Sequence, residues 1–197
     1  MRELFQKIKN ILINPSDEFS IIARSELNII AINKRFLVPL SGIISLFFLV
    51  SSSITNIASP ATSFIYIFFN AIILFLIVLT HSYVSGKIIT LIGQNMHPVE
   101  NSINYYALTI YSQLPFYIIL AIVKLFPSLV FLSFLGLYSG LLFYTGTRKL
   151  IKIPEEKRIR FTLLSMLIMM ISFILFSQLF TILYDEIIEQ FSTFAAR

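Results

Sequence analysis

Glu155-Glu156-Lys157-Arg158-Ile159-Arg160 is the one stretch of this chain where residue types and spacing suggest catalysis. A glutamate pair can activate water or share a metal ion, and an arginine at this distance can steady developing charge. A metal- or water-activating site of that kind needs further ligands or bases, histidine above all, to complete it. The chain has only His81 and His97, both upstream of the pair, and no cysteine. The acids beside Lys157 and Arg158 therefore read as solvated helix pairs. His81 stands in an apolar run, where an ionisable side chain is a functional candidate by default. It has no carboxylate or second histidine one turn away, so a hydrogen bond to a neighbouring helix is a simpler role than metal binding. His97, beside Pro98, reads as solvated. With no nucleophile next to a base, neither an enzyme site nor a cofactor is expected.

Other polar residues inside apolar runs are Asn70, Ser112, Gln113 and Gln178, with no Asp or Glu among them. Coupled carriers place charge at the membrane midplane, so a proton-coupled carrier is disfavoured. A passive channel or transport pathway along Asn70, His81, Gln113 and Gln178 is the alternative to amides that glue helices together. Ser133, Gly136 and Gly140 follow small-residue spacing, with Gly136 and Gly140 forming a GxxxG pair that permits close helix approach. The seam could be intramolecular or join two copies in a homo-oligomer. Pro115 removes a backbone hydrogen bond and predicts a kink, with Ser112 or Gln113 available to satisfy the freed carbonyl. That kink is either packing geometry or a hinge.

The elements that carry these residues are dictated by lipid. Apolar residues make up 57% of the 197, charged residues 13%, and the mean hydropathy is +0.85, more apolar surface than a water-soluble fold can cover. No Asp, Glu, Lys or Arg occurs between Phe36 and Gly86. A hydrocarbon core about 30 Å thick takes about 20 helical residues, so that stretch holds two crossings, turning at Asn56–Ser63 around Pro60. The runs predict an all-α, polytopic bundle of five transmembrane helices at 36–57, 64–85, 105–126, 128–146 and 161–184. Tyr105, Tyr106, Tyr111, Tyr138, Tyr144 and Tyr184 fall near span ends, as an interfacial aromatic belt would.

Charge tests the count. With five spans and a cytoplasmic N-terminus, loops on the inner side carry thirteen basic residues against two outside. The positive-inside rule therefore predicts N-in, C-out. The net charge of +5 belongs to these membrane flanks and not to nucleic-acid binding. Residues 1–35 are too charged for a signal peptide and read as a retained cytoplasmic segment of two amphipathic helices, with 36–197 as the transmembrane domain. Leu4, Phe5, Ile8, Ile11 and Leu12 make one apolar stripe opposite Lys7 and Lys9. Asn14 can cap a second helix with Pro15 in its first turn, and Phe19, Ile22, Leu27 and Ile30 form that helix's apolar face. The pair either lies on the membrane surface or packs on the cytoplasmic ends of the spans.

Several motifs occur in a telling order. Asn14-Pro15-Ser16-Asp17-Glu18-Phe19 is followed by a loop glycine at Gly93 and by Tyr111-Ser112-Gln113-Leu114-Pro115 in the third span. Leu137-Tyr138-Ser139-Gly140 then leads through Tyr144-Thr145-Gly146 to Lys149-Leu150-Ile151-Lys152-Ile153-Pro154-Glu155-Glu156-Lys157. This series resembles the Yip domain family, named for Ypt/Rab-interacting proteins, and in particular its small bacterial branch. The resemblance spans nearly the whole chain and implies a five-helix integral membrane protein, here of the bacterial cytoplasmic membrane. It also implies a non-enzymatic scaffold or adaptor. Eukaryotic members are similar in role to membrane-traffic scaffolds that recruit small GTPases or shape membranes. The short N-terminal region here departs from their pattern and argues against GTPase recruitment. The expected contacts are anionic lipid head groups or an unidentified cytoplasmic or membrane protein. The candidate residues are Lys7, Lys9, Lys34, Arg35, Arg148, Lys149, Lys152, Lys157, Arg158 and Arg160.

Overall fold

Once water is gone, a helix is the one open-ended element that pairs every backbone N–H and C=O within its own segment. The computed structural model describes residues 2–55, 60–96 and 102–195, and the chain is all-helical there. Two short helices come first, α1 (Arg2–Ile13) and α2 (Pro15–Arg24). Five stretches long and apolar enough to cross a membrane follow: Ile29–Ser53, Tyr66–Met96, Ile103–Leu125, Pro127–Lys149 and Glu155–Tyr184.

The first of these combines α3 (Ile29–Ile32), a π-helical turn (Asn33–Leu37) and α4 (Val38–Thr55). Asn28 starts it, its Oδ1 accepting the Ile30 N–H at 2.8 Å. Lys34 and Arg35, expected before the span, lie inside its helix. Long basic side chains tolerate this because they can extend towards the interface. Ile30, expected on the second amphipathic helix, points outward from this span at 74% exposure. Asn14 precedes α2 without a side-chain cap, whereas Pro15 and the acids Asp17 and Glu18 take their expected places in its first turn.

The second span is a single helix, α5 (Pro60–Met96). Lys87 and Gly93, expected in a loop, are helical. Gly93 is there because the Tyr105 ring occupies the space of a side chain, and the Tyr105 hydroxyl donates to the Gly93 carbonyl at 3.1 Å. Residues 56–59 of the expected turn, and His97, lie outside the described residues.

The third span is the axis of the bundle, buried without a gap from Tyr105 through Pro115. It comprises α6 (Ile103–Ser112) and α7 (Leu114–Leu125), interrupted at Gln113 as Pro115 predicts. This burial corrects the aromatic belt. Tyr105, Tyr106 and Tyr111 are at most 3% exposed and act as internal pegs, the Tyr106 hydroxyl donating to Asn33 Oδ1 at 2.6 Å. The fourth span opens with 3₁₀ turns (Pro127–Leu137) kinked at Leu129 and continues as α8 (Tyr138–Lys149). The fifth is α9 (Glu155–Ala195), whose Leu163, Leu167, Ile174 and Leu175 face outward.

Of the two places open to α1 and α2, the structure takes the packed one. Ile11, Phe19 and Ile22 are buried, with Phe19 within 3.2 Å of where a Cβ on Gly146 would sit. The Tyr138 hydroxyl donates to the Leu12 carbonyl at 3.0 Å. Phe5, Ile13 and Ile21 remain exposed on the outer side, free to enter the bilayer interface.

Truncating a fully buried phenylalanine costs about 3–5 kcal/mol in a packed core. Phe19→Ala is therefore expected to release the N-terminal pair, seen as much faster limited proteolysis within residues 14–28 and no change in α9. Cleavage at the rate of the unaltered protein would mean that lipid alone holds the pair.

Candidate functional site

Midway along the bundle, polar side chains from three spans meet. Gln113 sits at the helix break with its amide turned inward, 2% exposed. Its Nε2 donates to Ser85 Oγ at 3.3 Å, and its Oε1 accepts from the Tyr117 hydroxyl, which also meets Ser82 Oγ. On the neighbouring face of α5, His81 Nδ1 is 2.8 Å from Ser172 Oγ of α9, and Phe173 packs edge-on against the imidazole at 5.3 Å. These groups satisfy one another, which is the role of polar side chains as helix glue.

The Pro115 break is held from outside its own helix. The Phe116 N–H donates to Ser139 Oγ at 3.1 Å, across to the fourth span. Ser112, expected to serve the freed carbonyl, donates instead to Thr109 at 3.1 Å, and Gln113 turns into the cluster described above. With Pro115 buried and the break tied to Ser139, the kink has the form of packing geometry.

Of the four intramembrane polar residues, the structure brings His81 and Gln113 together. Asn70 Nδ2 donates to the Tyr66 carbonyl of its own helix at 3.0 Å, and Gln178 is exposed on α9. A cavity of about 450 Å³ opens beside His81 and Gln113, walled by Phe116, Ser133, Gly136 and Met170. The GxxxG pair separates in space: Gly136 faces Phe116, while Gly140 lies under Met166 of α9. The pair straddles the change from the 3₁₀ segment to α8, so the two glycines meet different neighbours. Among the described residues, no three His, Cys, Asp or Glu side chains assemble to hold a metal ion.

The basic candidates gather at one end. That end holds the start of the first span, Met96, Ile103, Lys149 and Glu155, tied by Lys157 Nζ donating to the Met96 carbonyl at 3.3 Å and Asn104 Nδ2 to the Leu150 carbonyl at 3.4 Å. At the opposite end Ser51 Oγ donates to the Leu125 carbonyl at 2.8 Å. Every described lysine and arginine except Lys124 lies on the helices and turns of the first end. Lys9, Arg148, Lys152, Lys157 and Arg160 are exposed, and Lys149 is half-buried. Lys152 has a left-handed backbone (φ 50°), because Ile151 and Ile153 on either side are hooked into the core. Arg158 differs from the others. It donates to the Ile153 carbonyl at 3.2 Å, lies 3.9 Å from Glu155 and sits over the Tyr144 ring at 5.6 Å, so it braces the turn. Lys7, Lys34 and Arg35 border a recess of about 690 Å³ together with Tyr111.

Sequence reasoning missed Ser82, Ser85, Tyr117, Ser139 and Ser172. A signal existed for the first two, since they lie one and four residues after His81 in an otherwise apolar run. Removing one partner from a buried cluster costs about 1–3 kcal/mol. Gln113→Leu is expected to lose that much in a detergent-unfolding titration, while lipid-facing Gln178→Leu stays within about 0.5 kcal/mol. Equal effects would deny the cluster any part in stability.

The family model described as the Yip1 domain matches residues 9–176, from within α1 to the middle of α9. No curated protein and no solved structure matches the chain. A match over that length, together with five helices able to cross a bilayer, makes this chain an integral membrane protein of the Yip1 domain family.

Proposed function

We propose that the protein is a non-enzymatic membrane scaffold that works through its basic end, oriented to the cytoplasm, on anionic lipid head groups or an acidic protein partner. The observation that carries this reading is the gathering of the basic residues. Segments far apart in sequence, the N-terminal pair and residues 148–160, are brought to one end by the packing of α2 on α8. Each Lys or Arg near an anionic bilayer contributes about 1 kcal/mol, so a face with several exposed cations concentrates anionic lipid without a dedicated pocket. The positive-inside rule sets that end in the cytoplasm and the C-terminus outside. The transport alternative lacks a shared pathway, because Asn70 and Gln178 stand apart from the His81 and Gln113 cluster.

The chain has no cysteine, so single engineered thiols report without background. With a donor dye at position 148 of the reconstituted protein, energy transfer to labelled phosphatidylglycerol should exceed transfer to labelled phosphatidylcholine. The excess should fall by at least about half in a Lys152→Asn, Lys157→Gln, Arg160→Gln variant that keeps its helical content. Asn is chosen at 152 because it tolerates a left-handed backbone. Lipid preference that survives these changes would remove the basic face as the working surface. A reporter fused after Arg197 should read outside, and a cytoplasmic reading would sink the orientation.

A further inference from the structure

The recess at the basic end differs from the midplane cavity in both lining and position. It lies between α1, the linker Ser25–Asn28 and the first span, and its polar groups come from Lys7, Glu26, Asn28, Lys34, Arg35 and Tyr111. We propose that it binds the phosphodiester of one anionic phospholipid, whose acyl chains run along the outer face of the first span.

Charge is the first argument. Three cations face one carboxylate, and among the described side chains none of the three has a carboxylate within ion-pair distance. Preorganisation is the second. Lys7 Nζ donates to the Tyr111 hydroxyl at 2.9 Å and sits 4.4 Å from the centre of that ring, itself fixed edge-on by Phe36 at 4.8 Å. An ammonium has three donors, so this arrangement fixes its position and leaves donors for an incoming oxyanion. The third is the backbone. Lys34 and Arg35 lie on the π-helical turn Asn33–Leu37, a costly local geometry that recurs at functional sites.

The choice of a lipid over free phosphate comes from what adjoins the recess. On the helix that supplies Lys34, Ile30 one turn before and Val38 one turn after are 74% and 41% exposed. In a chain whose first span begins at Ile29, that apolar surface belongs to the bilayer. A phosphate held by Lys7, Lys34 and Arg35 would thus continue into tails without leaving lipid. The volume of about 690 Å³ falls within the roughly 300–1,000 Å³ of small-molecule sites. Glu26 at the rim can accept a hydrogen bond from a head-group hydroxyl.

This inference rests on the proposed role of the basic end but is read separately, as a single retained lipid. Native mass spectrometry of the full chain in mild detergent, with phosphatidylglycerol or phosphatidylcholine added, should show one phosphatidylglycerol bound in strong preference. Lys34→Gln and Arg35→Gln change exposed side chains and should each lower retention about fivefold. Lys7→Gln should do so too, and Lys7→Arg should restore it, a rescue that a merely structural Lys7 would not require. The Lys152→Asn, Lys157→Gln, Arg160→Gln variant should keep its bound lipid. Equal retention of the two lipids, or equal loss in that last variant, would overturn the site. Displacement of the lipid by an equal concentration of inorganic phosphate would also overturn it in favour of a soluble anion. If retention fails while energy transfer at the basic face persists, the recess is refuted and the broader reading stands.

Discussion

A backbone donor stranded in hydrocarbon is the constraint on which this bundle turns. Pro115 interrupts the most buried helix, so the chain must supply hydrogen bonds there from elsewhere. One bond answers that donor, and side chains beside the break tie it further to its surroundings. Ser139 reaches from the fourth span to the Phe116 N–H, Gln113 turns inward to Ser85 and Tyr117, and Ser112 folds back on Thr109. The broken helix is thereby locked to its neighbours on both sides. Replacing it by a continuous helix would move α7 relative to α6 and undo the cluster that unites the second, third and fifth spans.

The same rigidity reaches the basic end. Tyr106 and Tyr111 are pegs on α6, and each holds part of the first span or the N-terminal pair: Tyr106 fixes Asn33, and Tyr111 fixes Lys7 and meets Phe36 edge-on. Lys7 and Phe36 at the recess are therefore referenced to the bundle axis. Lys34 and Arg35 project from the π-helical turn as exposed arms.

Transfer energies speak clearly in the sequence. Five spans and the asymmetry of charge were legible because each rests on many residues acting in the same sense. Individual positions depend on neighbours that no local pattern reveals. Gly93 looked like a loop residue because glycine usually punctuates, yet it is a helical seat for the Tyr105 ring. Tyr105 and Tyr106 matched an interfacial belt by distance from the span ends, but the axis helix is surrounded on all sides. Arg158 counted among the basic candidates by charge, while its partners make it a brace. The midplane cluster was half visible, since amides and imidazole stand out in apolar runs and serines do not.

The 3₁₀ helix at Pro127–Leu137 bears on how the protein matches its bilayer. Leu129 kinks the segment, and beyond it the 3₁₀ turns rise about 2.0 Å per residue against about 1.5 Å for an α-helix, so residues 130–137 reach about 4 Å farther than they would in α form. It also aligns Phe131, Phe134 and Leu137 as one outward ridge, all more than 60% exposed. Mismatch between hydrophobic length and bilayer thickness costs fractions of a kcal/mol per Å. The fourth span thus reaches slightly farther along its axis than its residue count suggests, and its stretch is confined to the half remote from the basic end.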